Sequence, residues 1–273
     1  MAKFGRELTV RTLTGIVLVV SVTGLIMVSQ YGFVALMAVI AAGCMLEFYR
    51  MADIKGIHIR KTLPMTVGIA GVGLAFLAAT HIVPAVWLTM FFPLLSLIFV
   101  AEMFSSNPQP FARISVAIGG ICYAALPLAL FNFIAFSDAT YEAHVVLAYI
   151  FIVWINDIFA YLTGSLCGRH FMCPHISPHK SWEGFVGGLT ASILFGALVG
   201  RLLEQNVWWW AGLALVVVLA GALGDLIESM FKRSAGIKDS GSFLPGHGGF
   251  LDRFDALIFS VPFVLAYFTI FVK

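Results

Sequence analysis

Charge is what this chain has least of. Only 11% of its 273 residues are Asp, Glu, Lys or Arg, against about 25% in an ordinary soluble domain. Sixteen Lys and Arg nearly balance fourteen Asp and Glu, and the net charge of +2 singles out no partner. Nucleic acid is not expected as a partner. Cysteine is also sparse, with four in all. Cys44 and Cys122 lie in apolar segments, and Cys167 and Cys173 in a polar loop, so no disulfide framework is suggested. Internal repeats, low-complexity tracts and polar stretches of soluble-domain size are lacking as well.

What is abundant is hydrocarbon: 60% of the residues are hydrophobic and 25 are Phe. A soluble domain of this composition would expose a largely apolar surface and aggregate. Disorder is excluded by the opposite argument, since apolar side chains are many and net charge is small. A β-barrel would alternate polar and apolar residues, whereas these segments are apolar on every face. The expected fold class is an all-α polytopic integral membrane protein.

A span needs about 20 apolar residues. Nine segments qualify: about 12–30, 32–52, 63–83, 84–104, 111–136, 144–166, 182–203, 207–231 and 256–272. Lys3, Arg6 and Arg11 before the first run resemble a signal peptide. That run is long and no A-x-A site follows, so an uncleaved span is expected. Pro127 predicts a kink in the fifth span. Trp208, Trp209 and Trp210 predict an interfacial belt. With the N-terminus inside and the C-terminus outside, fourteen of the sixteen Lys and Arg fall on the inner side, as the positive-inside rule requires.

Polar chemistry collects in the second half. The sequence divides into scaffold helices at 1–143 and a catalytic half at 144–273, within one continuous membrane domain. Carboxylates in a membrane are functional candidates by default. Glu47, near a cytoplasmic end, is expected to pair with Arg50. Asn156 and Asp157 sit near the middle of the sixth span. Asp157, Ala160, Tyr161, Gly164 and Gly168 recur on one helical face. Two readings stand: a small-residue packing seam with one polar clamp, or a carboxylate and amide facing a polar cavity.

Asp225, Glu228, Ser229 and Lys232 stand at i, i+3, i+4 and i+7, on one face near the end of the eighth span. They form either a salt-bridge ladder or the lining of a cytoplasmic pocket. The next segment concentrates the chemistry. Lys232, Arg233, Lys238 and Arg253 supply cations suited to phosphates. Asp239, Asp252 and Asp255 supply hard oxygen donors. Gly246, Gly248 and Gly249 around His247 can turn backbone amides towards an anion. This set fits a nucleoside triphosphate with magnesium, against the alternative of a solvated loop. Upstream, Cys167, His170, Cys173, His175 and His179 are zinc-type residues, but their spacing matches no closed zinc site. Lys180, Ser181 and Glu183 open the seventh span. Ser181 is a candidate N-cap at a helix start that could favour phosphate.

The 27 residues from Ser229 to Asp255 carry S-M-F-K-R, then Lys238-Asp239, then L-P-G-H-G-G-F-L-D-R-F-D. This pattern resembles the signature of the phosphatidate cytidylyltransferase (CDP-diacylglycerol synthase) family. The stretches around Ser177–Glu183 and Asp225–Ser229 resemble two other characteristic segments. His179 stands where the family usually has Lys, so no role is given to it.

The resemblance implies an enzyme that joins CTP and phosphatidic acid into CDP-diacylglycerol and pyrophosphate, with magnesium required and a second cation left open. It also implies a homodimer in a bacterial cytoplasmic (inner) membrane, its active site facing the cytoplasm. Carried onto this chain, Asp225, Asp252 and Asp255 would hold the metal. With Lys232 and Lys238 they would form the catalytic set. Arg233 and Arg253 would neutralise phosphates. Asn156, Asp157, Ser177, Lys180, Ser181, Glu228, Ser229, Asp239, His247, Gly248 and Gly249 would complete the substrate site. Two other functions remain open from the residues: a polyprenol or phytol kinase using CTP, and a transporter of anionic solutes built on Asp157 and Asp225.

Overall fold

The computed structural model describes residues 2–241, 243 and 248–271, with side chains from residue 13 onwards. His247 lies outside the described residues. The chain divides into two compact units: Met1–Ala143 with Ser234–Phe254, and His144–Arg233 with Asp255–Lys273.

In the first unit the chain forms α1 (Ala2–Val28), α2 (Gln30–Ile54), α3 (Thr62–Ala79) and α4 (Phe91–Met103). The last of these is preceded by a 3-10 turn at Ala85–Met90. Then come α5 (Pro110–Gly120) and α6 (Leu126–Ala135), joined by a five-residue π turn at Ile121–Ala125. Pro127 explains that turn. Its ring has no N–H to donate and crowds the carbonyl four residues back. One turn of wider winding relieves both without ending the span. The loop Ser29 starts α2 by accepting from the amides of Tyr31 and Gly32 at 3.1 Å each. Helix α3 packs against α2 and α6. Phe33, Met37, Ile40, Phe131 and Leu128 lie in this unit's core. A short hairpin, β1 (Phe136–Ser137) with β2 (Thr140–Tyr141), follows α6.

The second unit is built on α7 (Ala143–Cys167), α8 (Trp182–Leu202), α9 (Val207–Ser234) and most of α10 (Leu251–Phe271). A hairpin of β3 (Phe171–Cys173) and β4 (Ser177–Ser181) links α7 to α8. Small residues set the α7–α8 distance. A methyl group on Gly184 would meet the Ala160 carbonyl at 2.8 Å, and one on Gly188 would meet Asn156 Oδ1 at 2.5 Å. Close backbone approach of this kind is how helices associate in lipid, where no hydrophobic effect drives them together.

Among the described residues, eight helices are long and apolar enough to cross a membrane, and α1 adds a shorter apolar run at Leu13–Val28. The chain is an all-α protein of membrane-spanning helices. The tryptophan triplet at the start of α9 does not form a belt. Trp208 is exposed, but Trp210 is fully buried and donates through its ring to Gln205 Oε1 at 2.8 Å. Trp209 stacks edge-on against Phe268. Successive helical residues point about 100° apart, so three in a row cannot all face outwards.

Candidate active site

In the second unit, three carboxylates converge. One oxygen from each of Asp225, Glu228 and Asp255 lies within 4.8 Å of the others. Helical spacing puts Asp225 and Glu228 on one face of α9. Asp255 arrives from α10 because α9 is glycine-lined there. A methyl group on Gly224 would meet Phe259 Cβ at 2.6 Å and the Asp255 carbonyl at 2.8 Å. The two helices can therefore touch backbone to backbone at this level.

The charges are unevenly compensated. Lys180 forms an ion pair with Asp225, and Lys232 reaches Glu228 Oε2 at 2.5 Å. Glu228 and Asp255 are both buried. Among the described residues, the Asp255 carboxylate accepts only from the Ala256 amide, at 2.8 Å. A buried carboxylate beside two others is costly unless a cation or proton offsets it. The donor set is all oxygen, which suits magnesium, calcium or manganese and not zinc or copper. The residues present therefore fit a hard divalent cation.

Other expected residues lie in the second unit. Ser229 Oγ lies 3.5 Å from Asp225 Oδ1. Arg233 Nε donates to the Ile176 carbonyl at 3.3 Å, which ties the end of α9 to the loop before β4. Ser177 opens β4 and Lys180 is near its end. Ser181 caps α8, accepting from the Gly184 amide at 3.1 Å. Asn156 faces the α8 seam at Gly188, while the neighbouring Asp157 is exposed. The Asn156 amide nitrogen lies 3.5 Å from Asp157 Oδ1.

The zinc-type loop is organised by a carboxylate. Glu183 accepts from the amides of Arg169 and His170 at 3.1 and 3.2 Å and contacts His170 Nδ1 at 2.6 Å. Among the described residues, the trio of Asp225, Glu228 and Asp255 is the one group of three ligand-type side chains within reach of a single ion.

In the first unit the other expected residues sit on the segment from Lys238 to Arg253. Lys238, Asp239 and Arg253 are exposed. Asp252 Oδ2 accepts from the Ser240 amide at 3.1 Å, the Ser240 hydroxyl at 3.0 Å and the Gly249 amide at 2.8 Å. Gly248 has φ +86°, a left-handed conformation, and a methyl group there would meet Asp252 Oδ2 at 2.7 Å. Glycine meets both demands at once.

Sequence reasoning assigned one carboxylate the wrong partner. Glu47 does not pair with Arg50. It accepts from the Ser240 hydroxyl at 2.6 Å and from the amides of Phe250 and Leu251 at 2.9 Å each. The signal available was a lone carboxylate in an apolar helix, and a basic residue three positions away offered a simpler partner.

The comparisons with known proteins agree with the signature. Residues 9–271 match the family described as the cytidylyltransferase family. A protein of Staphylococcus aureus (strain COL) named phosphatidate cytidylyltransferase is 32% identical over 259 residues, covering 93% of this chain and 96% of its own. Proteins of the same name from Staphylococcus saprophyticus and Staphylococcus epidermidis are 40% and 41% identical over 161 and 163 residues, each alignment covering 58% of both chains.

Proposed function

Because this chain belongs to the cytidylyltransferase family, we propose that it joins CTP to phosphatidate, releasing pyrophosphate and forming CDP-diacylglycerol. The observation that carries this reading is the convergence of Asp225, Glu228 and Asp255 in a chain carrying the family's signature. A phosphate oxygen of the lipid attacks the α-phosphorus of CTP, and the bond to the β-phosphate oxygen breaks. The attacking oxygen is already ionised near neutral pH, so no general base is required.

Two anions must meet, and placement with charge compensation is the main barrier-lowering device. Asp225, Glu228 and Asp255 would hold a magnesium ion, and Asp252, three residues before Asp255, is a further candidate. Bound there, the ion would offset charge on the phosphates. Lys232, Arg233, Lys238 and Arg253 neutralise the triphosphate and the lipid phosphate. Lys180 pairs with Asp225 and offsets part of the trio's charge. Ser181, at the start of α8, aims backbone amides that suit a phosphate oxygen.

The substrates imply the setting. CTP is water-soluble, whereas the tails of phosphatidate stay in lipid. A site at the cytoplasmic boundary of a bacterial inner membrane, open sideways to the inner leaflet, serves both. The protein works there as a homodimer.

The test is a single assay with purified protein, labelled CTP, phosphatidate and magnesium. CDP-diacylglycerol and pyrophosphate in equal amounts support the proposal. Release of CDP with a phosphorylated lipid alcohol would instead identify a kinase. Solute flux without CTP turnover would identify a transporter.

A further inference from the structure

We propose that Glu47, from the second helix, is a positioning residue for this reaction: it anchors Ser240, Phe250 and Leu251, and through them the phosphate-binding groups beside them in sequence. The inference rests on the cytidylyltransferase reading above.

Glu47 is only 5% exposed. Its partners are one hydroxyl and two backbone amides, all between residues 240 and 251. Leu251 is the first residue of α10, and the amides of a helix's first turn have no partner within the helix. A carboxylate there satisfies them and meets the positive end of the helix dipole.

The surroundings are shaped to admit this contact. A methyl group on Gly43, one turn before Glu47, would meet the Phe250 ring at 2.6 Å. Any side chain on Gly241 or Gly249 would overlap the Glu47 carboxylate. Gly241 and Gly249 thus both sit directly against the Glu47 carboxylate.

A buried carboxylate is expensive to desolvate. Here the cost is met by the loop alone, because no Lys or Arg is among its partners within the described residues. Four of the loop's charged groups flank these contacts: Lys238 and Asp239 on one side, Asp252 and Arg253 on the other. Anchoring Ser240, Phe250 and Leu251 therefore bears on where those groups stand.

Glu47→Gln is isosteric but presents an NH2 where an acceptor is required. Expected is a fall in kcat/KM for CTP of about 10- to 100-fold, the cost of a misplacement on the ångström scale. KM for CTP should rise, with the elution profile of the detergent-solubilised protein unchanged and its thermal unfolding lowered by the buried donors left without an acceptor. A merely structural role would shrink the active fraction, lowering apparent kcat and leaving KM untouched. Ser240→Ala should reproduce the KM change. The double variant should be no worse than the poorer single one, because both cut the same connection.

Wild-type KM for CTP in both single variants would overturn the proposal, as would strictly additive losses. A wild-type enzyme that makes no CDP-diacylglycerol would overturn the parent reading, and this proposal with it.

Discussion

Glu47 Oε2 and Asp252 Oδ2 share one hydroxyl: Ser240 Oγ lies 2.6 Å from the first and 3.0 Å from the second. A hydroxyl carries a single proton and donates to one acceptor at a time. The two carboxylates are therefore linked through a group that can satisfy only one of them fully. Backbone amides cover the remainder, two on Glu47 and two on Asp252. Charge-assisted bonds of this kind are about twice as strong as neutral ones, which makes the loop sensitive to charge.

The first prediction follows from that sensitivity. Asp252→Asn turns an acceptor into a mixed group where three donors converge, and Asp255→Asn removes a carboxylate from the trio. Changing a residue that only orients a metal ligand costs about 10–100-fold, and each of these changes is expected to exceed that. The measurement is CDP-diacylglycerol formation, with folding checked by size-exclusion chromatography in detergent. Near-normal turnover in both variants would remove these carboxylates from the reaction.

The α7–α8 seam gives a second prediction. Gly188→Val places its branched side chain against Asn156, where even a methyl group lies 2.5 Å from Oδ1 and 2.8 Å from the main-chain oxygen. Overpacking of a tight interior usually costs about 1–3 kcal/mol. Thermal unfolding in detergent should fall accordingly. An exposed position on the same helix, such as Leu194, should tolerate Val without loss. Equal unfolding temperatures for the two variants would show that the seam is not tight.

Most of the helices were legible from hydropathy alone, because a span is a local property of about 20 consecutive residues. The start of α10 was not. Apolar character begins near Ala256, yet the helix begins at Leu251. Its first turn is polar on the outside and is held by Glu47, a residue 204 positions away in sequence. Ser181 as a cap was readable, since a cap and its helix are neighbours. The grouping of Asp225 and Glu228 was readable from helical spacing. The partners of Glu47, and the burial of Trp210, depend on tertiary packing that no local pattern encodes.

The Cys/His loop yields a third prediction, of a negative kind. His170 is exposed and its ring is held by Glu183, whose carboxylate also binds two backbone amides of the same loop. Removing the ring leaves those two amide bonds in place. The double variant His170→Ala with Cys173→Ala is therefore expected to keep turnover close to that of the wild type. Loss of activity together with loss of stoichiometric zinc, measured by elemental analysis, would assign the loop a metal instead.

The carboxylate trio allows a prediction whose sign changes with conditions. Lys180 and Lys232 each offset one of the three charges, leaving Asp255 buried without a cationic partner among the described residues. In chelator, Asp255→Asn removes this uncompensated charge while keeping the side chain's shape. The variant should then unfold at a higher temperature than the wild type. Magnesium should reverse the order. An ion that binds only the folded protein stabilises it by RT ln(1 + [L]/Kd), about 2.7 kcal/mol at a hundredfold excess over Kd. The wild type gains that term, and the variant, short of one ligand, gains less. The measurement is thermal unfolding of both proteins with EDTA and across a magnesium titration, without substrate. If both respond identically to magnesium, the three carboxylates do not bind it together. If the variant is the less stable in chelator, the repulsion assigned to Asp255 is absent.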